Sequence, residues 1–199
     1  MLDVVAHIKH GTETPNQLGK QQQIIDAARD VLAREGLAGC TARSVADASP
    51  LTKSAVHYYF RDIDEIIDQA MAAHLEAMLG SLRQVAAGEP DPVRRLWSVV
   101  DAYLDTFAGN PHAARLWFEY WISLSRRAAS GPVAGNLDRV RDLLRELLDG
   151  AGHPRPEAAA DTIVSWLLGA VVQESVASRP GRQRQRELEQ LIGGSWADA

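Results

Sequence analysis

The chain of 199 residues is 46% hydrophobic, 24% charged and carries a formal net charge of -5. That balance provides a folded core and excludes both a disordered polyelectrolyte and a protein coated in basic residues, so any nucleic-acid contact must be a local patch. The single cysteine, Cys40, leaves no internal disulfide and no multi-cysteine zinc site, and reads as a small buried apolar residue.

Residues 1–19 are polar and broken by Gly11, Pro15 and Gly19, which predicts a flexible arm. A basic arm entering a minor groove would have only Lys9 and Lys20 besides its histidines, and the early acid Asp3 argues against a secretory signal. From Gln21 the pattern becomes helical, with Ile24, Ala28, Val31 and Leu32 on one face and a stop at Gly36. Thr41 can cap a short helix over Ala42 to Ala48, and Thr52 a third over Lys53 to Phe60, with Pro50 between them. A long helix opens near Ile63 and carries Ile66, Ile67, Ala70, Met71, Leu75, Met78 and Leu82 at i, i+3, i+4 spacing. It ends before Gly88-Glu89-Pro90. Further helices are expected over Val93 to Ala108, Pro111 to Ala129, Pro132 to Leu148, Pro156 to Ala177 and Gln183 to Ile192, each bounded by glycine or proline. The fold class is therefore all-α, with about nine helices. The longest apolar run, Ile163 to Val172, falls short of the roughly 18 residues of a membrane span, so no membrane partner and a cytoplasmic location are expected.

Two short helices can cross closely only where the crossing residue is small, and the second then needs a branched apolar anchor; Ala46, the turn at Pro50 and Val56 fit that scheme. This spacing alone also suits an ordinary pair of helices in a bundle. The aromatic residues of the later helices, Trp97, Tyr103, Phe107, Trp117, Phe118, Tyr120, Trp121 and Trp166, suit either a plain core or the lining of a pocket for an apolar or cationic ligand.

The wording of the first three helices decides more. Gln23-Ile24-Ile25-Asp26-Ala27-Ala28, Thr41-Ala42-Arg43-Ser44-Val45-Ala46-Asp47-Ala48 and Leu51-Thr52-Lys53-Ser54-Ala55-Val56-His57-Tyr58-Tyr59-Phe60, followed by Arg61 and the acidic Asp64-Glu65, resemble the DNA-binding head of TetR-family regulators. The resemblance is close over about 60 residues and beyond them extends only to length and layout. It implies an N-terminal three-helix helix-turn-helix head over residues 20–62, joined by a long helix to a ligand-binding and dimerisation body over 63–199. It implies that the third helix lies in the major groove of double-stranded operator DNA while the second helix and the start of the fourth hold phosphates. Thr52, Lys53 and Ser54 would then sit in the first turn of the reading helix, His57, Tyr58 and Tyr59 further along it, and Thr41, Arg43 and Arg61 beside the backbone. Thr41 and Thr52 can equally serve as caps alone, and Tyr58-Tyr59-Phe60 as a packing seam. From Thr41 to Arg61 three bases face one acid, Asp47, so the patch is positive on an acidic chain.

The same resemblance tips the aromatic cluster toward an effector pocket made of Trp97, Tyr103, Phe107, Trp117, Tyr120, Trp121 and Trp166, with Glu119 as its one candidate charge. It implies a homodimer through the last two helices, with Ala158 to Ala160, Trp166, Leu167, Gly169, Ala170 and Val171 as the contact, and an effector that releases a repressor by tilting the fourth helix. Two positions depart from the family: Pro50 stands where the turn usually has glycine, and Ile63 where a lysine commonly opens the fourth helix, removing one phosphate contact. No nucleophile-base pair, metal-ligand cluster or phosphate-cradling glycine loop is found, so no enzyme, no metal and no cofactor are expected. The competing reading is a helical protein-binding scaffold.

Overall fold

The computed structural model describes residues 14–108, 111–127, 134–174 and 181–193. Among the described residues there are nine helices and no strand. α1 (Pro15–Gly39) begins six residues ahead of the expected Gln21, which corrects the flexible-arm reading for its last five residues. Thr14 explains the difference: its side chain accepts a hydrogen bond from the Gln17 N–H, and its own N–H donates to Gln17 Oε1 at 2.8 Å. Pro15 takes the first helical position, where a missing donor costs nothing. The rest of the expected arm, residues 1–13, lies outside the described residues. The expected stop at Gly36 is found as a break within α1, with φ at +72°, a conformation glycine adopts without a Cβ clash.

α2 (Ala42–Ala48), α3 (Lys53–Tyr59), α4 (Ile63–Gly88) and α5 (Pro92–Asp105) each open on a side-chain cap, Thr41, Thr52, Asp62 and Asp91 in turn. Each cap satisfies a first-turn N–H and stabilises its helix by about 1 kcal/mol. α5 ends three residues before the expected Ala108, because the Thr106 N–H is shared between the carbonyls of Ala102 and Tyr103 and the last turn tightens. α6 (Pro111–Arg127), α7 (Ala134–Gly150), α8 (Pro156–Glu174) and α9 (Gly181–Ile192) complete the chain.

The buried stripe of α1, Ile24, Ala28, Val31 and Leu32, meets Val45 of α2, Val56 of α3, Phe60 and the start of α4. Each large aliphatic side chain buried there contributes roughly 1.5–3 kcal/mol. Past Ala70 the stripe of α4 leaves this head and runs on through Met71, Leu75, Leu79 and Leu82 to pack along α5 and α7. α4 is thus one element of two cores, and α6 packs back on α1 as a second tie between head and body. α8 lies along α7 and carries α9. The end of α9 is pinned by the buried His153, whose Nδ1 accepts from the Arg155 N–H at 3.1 Å, leaving Nε2–H to donate to the Ile192 carbonyl at 2.8 Å.

Candidate functional site

The two short helices pack through the residues the sequence singles out: Ala46 and Val56 are both buried. The turn between them is built without a glycine. Ser49, extended at φ -112° and ψ 161° as a residue before proline prefers, accepts the Leu51 N–H at 3.1 Å and donates to the Ala46 carbonyl at 3.3 Å. A serine hydroxyl therefore does the closing, and Pro50 occupies a position where no N–H is needed. At the opening of α4, Ile63 is half-buried and its side chain packs on the core.

Anchored by Val56 and Phe60, α3 turns its other side to solvent. Thr52, Lys53, Ser54, His57 and Tyr58 are all exposed there, Tyr58 by 74% although it is a large aromatic residue. Tyr59 is half-buried against the core and meets the Tyr58 ring edge-on at 5.0 Å. Thr41 and Arg43 of α2 and Arg61 after α3 are exposed as well. Both threonines do cap their helices. Arg43 stands 3.8 Å from Asp47 and Arg61 3.5 Å from Glu65, on sites where both arginines are more than four-fifths exposed. Such pairs are worth about 0–1 kcal/mol, so either guanidinium can exchange its carboxylate for a phosphate at little cost.

Inside the body, α4 to α8 enclose a cavity of about 40 Å³. Four of the seven aromatic residues expected in a pocket line it: Tyr103, Phe107, Trp117 and Trp121. Phe118 joins them, with Leu75 and Met78 of α4 and an aliphatic wall from α7 and α8 that includes Val140 and Leu167. No charged side chain lines it. Burial pushes the Tyr103 hydroxyl up to about 12. The Trp121 Nε1–H is buried without a hydrogen-bond partner among the described residues, a state that costs about 1–3 kcal/mol.

The other three aromatic residues stand elsewhere. Trp97 packs against the core without reaching the cavity. Trp166 lies on the opposite side of α8, in a groove with Gly169, Arg184 and Leu191. Tyr120 is fully buried between α6 and α4, and its hydroxyl donates to Asp68 Oδ1 at 2.7 Å. Arg127 reaches the same carboxylate at 2.9 Å and Asp64 at 3.3 Å, so this group is a polar latch from α6 to the first turns of α4. Desolvation first, and then the Asp68 contact, push the Tyr120 hydroxyl far above its ordinary range. Glu119 faces away from the cavity and pairs with Arg115 at 3.3 Å. The expected contact surface on α8 is corrected too: Ala159, Ala160, Leu167, Ala170 and Val171 are buried within the single chain, leaving Ala158, Trp166, Gly169 and Val172 on its outer side.

Comparison with known proteins matches two segments of the chain. Residues 24–70 match the family model of bacterial regulatory proteins of the tetR family, and residues 92–191 match that of the C-terminal part of BetI-type transcriptional repressors. The chain belongs to the tetR family. It is a ligand-responsive, DNA-binding transcriptional regulator, and members of the family bind operator DNA and small effectors, generally as dimers. Among its curated relatives, the regulator BetI of Stenotrophomonas maltophilia is 26% identical over 77% of this chain and 82% of its own length. The nicotine-responsive repressor HdnoR of Paenarthrobacter nicotinovorans is 24% identical over 75% of this chain and 78% of its own. The solved structure of the multidrug binding protein EbrR complexed with imidazole superposes with a TM-score of 0.65 at 25% identity, covering 92% of this chain and 95% of that one. The regulator's first matched segment ends within α4 and the second begins at α5, so most of α4, the helix shared by head and body, lies between them. Among its described residues no helix is long and apolar enough to cross a membrane.

Proposed function

We propose that this regulator is a repressor that binds a palindromic operator as a homodimer and is released when a small apolar or cationic effector enters the aromatic cavity. The observation that carries the reading is the division of α3: Val56 and the following Phe60 are locked in the head core, while Lys53, Ser54, His57 and Tyr58 project from its outer side with nothing over them. A short helix fixed that firmly offers a first turn of hydroxyls, an ammonium and backbone N–H groups to phosphates and base edges. Thr41, Arg43, Thr52, Tyr59 and Arg61 then flank it on the phosphate backbone. Dimerisation through the outer side of α8 and α9 would set two such helices one helical turn apart on DNA.

The effector reading rests on Tyr103, Phe107, Trp117, Phe118 and Trp121 around a site without a formal charge. A cation there would be held by ring faces rather than by a carboxylate. Leu75 and Met78 make α4 part of the cavity wall, so a ligand that swells the cavity displaces the helix that carries the head. Fluorescence anisotropy with labelled DNA from the region flanking the regulator's own gene tests the DNA half: saturable binding that Lys53→Ala and Tyr58→Ala weaken is expected. Absence of binding at low salt would return the chain to the scaffold reading. A ligand that binds the cavity and leaves operator affinity unchanged would refute the effector half.

A further inference from the structure

A second cavity, of about 120 Å³, lies where head and body meet. Three helices close it: α1 with Arg29 and Leu32, α4 with Met71 and His74, and α6 with His112 and Trp117. Trp117 is the wall it shares with the aromatic cavity, its ring 6.1 Å from His74 on one side and 6.5 Å from Trp121 on the other. The floor is apolar, whereas the groups that can carry charge are all cationic, and no carboxylate lines the space.

The electrostatics are unbalanced in one direction. Partial burial, and then the charge of Arg29, hold the His74 imidazole below its ordinary range, which favours its neutral form. Arg29 has one ion pair among the described residues, with Asp26 at 3.6 Å on the same exposed helix face, and such a pair stabilises little. Neither the His74 nor the His112 side chain is hydrogen-bonded among the described residues.

We infer that this cavity is a second ligand site, for a small organic carboxylate whose charge is met by Arg29, His74 and His112 and whose apolar body rests on Leu32, Met71 and Trp117. A carboxylate accepts from the guanidinium in the fork geometry arginine favours, and its charge beside His74 favours the protonated imidazole. A neutral amide of the same shape does only the packing, and a cation is repelled. Because its walls come from α1 on one side and α4 and α6 on the other, an occupant holds the head against the body from within the seam. The inference is independent of what fills the aromatic cavity.

Isothermal titration of the full-length protein with sodium benzoate tests it, with benzamide as the neutral isostere. Saturable benzoate binding is expected, with benzamide weaker by about tenfold or more, the usual worth of a charge-assisted hydrogen bond. Arg29→Gln should weaken benzoate by a similar factor, and Ala33→Trp, at an exposed position on the rim, should abolish it; both replace exposed or half-exposed side chains and should keep the helical circular dichroism spectrum. Phe118→Ala reports on the other cavity. Absence of saturable binding up to millimolar benzoate would overturn the inference, as would equal affinity for benzamide. So would an affinity that follows Phe118→Ala rather than Arg29→Gln and Ala33→Trp, since the anion would then occupy the aromatic cavity.

Discussion

Tyr120→Phe deletes one oxygen atom from the latch between α6 and α4, and the structure bounds what that costs. The hydroxyl is fully buried and donates to a carboxylate at 2.7 Å, a class of hydrogen bond worth about 1.5–3 kcal/mol. Asp68 keeps its Arg127 partner at 2.9 Å, and its side chain is 17% exposed, so the lower end applies, about 1.5 kcal/mol. Asp68→Ala should cost more, about 3 kcal/mol, because it leaves the buried tyrosine hydroxyl without its acceptor and Arg127 with Asp64 as its remaining carboxylate, and Arg127 Nε has no partner even now. Urea unfolding at neutral pH and fixed protein concentration gives both values, and the double variant closes the cycle. A coupling of about 1 kcal/mol between positions 120 and 68 is expected. Additivity to within about 0.4 kcal/mol, the behaviour of residues that do not touch, would refute the latch.

Lys53→Ala should weaken operator binding several-fold at low salt and reduce the slope of log affinity against log salt by about 0.9, one phosphate contact, measured by anisotropy across a salt series. Stability should fall at alkaline pH: the Tyr103 hydroxyl stands at about 12 in the fold against an ordinary value near 10, so its contribution is whole below pH 10 and lost as pH rises through 12. Tyr103→Phe should therefore flatten the fall in unfolding free energy between pH 9 and 12, and an unchanged profile would count against that burial. Cys40, held up to about 11 by burial and then by the nearby Glu35, should resist a thiol-specific disulfide reagent at pH 8 in the native protein and react at once in urea.

The head was legible because its signals are local. Thr41, Thr52 and the Ala46–Val56 crossing each act within a few residues of themselves, and the structure shows α2 with the expected bounds. The start of α1 was missed for an equally local reason: the Thr14 and Gln17 capping box is present in the sequence, but Gly11, Pro15 and Gly19 outweighed it in a reading by composition. Pro15 is a helix opener in that position. The body was less legible because periodicity tells which residues face inward, not which interior they face. α6 has two inward sides, one on the cavity and one on α4, and Trp121 lines the first while its neighbour Tyr120 enters the second. Trp166 shows the same ambiguity on α8, where the wall toward α7 is aliphatic and the tryptophan falls on the outer side. Glu119 was separable in principle, since Arg115 stands four residues before it and supplies a surface partner.

Two glycines test where the proposed homodimer forms. Gly80 in α4 and Gly169 in α8 both lie inside helices, where glycine costs about 0.5–1 kcal/mol relative to alanine, and a β-carbon at either would meet nothing within 4 Å in the single chain. At Gly80 there is room for the alanine methyl, so Gly80→Ala should raise stability by that amount and leave the proposed dimer intact. Gly169, half-buried like Gly80, differs in its surroundings: it lies in the groove with Trp166 and Leu191, and Leu191 is 58% exposed. A close helix approach from a second copy would give that glycine a purpose the single chain does not, because a smaller residue brings two α8 backbones nearer. Gly169→Ala should then gain little or lose stability despite the better helix propensity, and Gly169→Leu should shift the protein toward monomer in sedimentation velocity. A Gly169→Leu protein that stays dimeric, with Gly169→Ala stabilised as much as Gly80→Ala, would move the interface off α8.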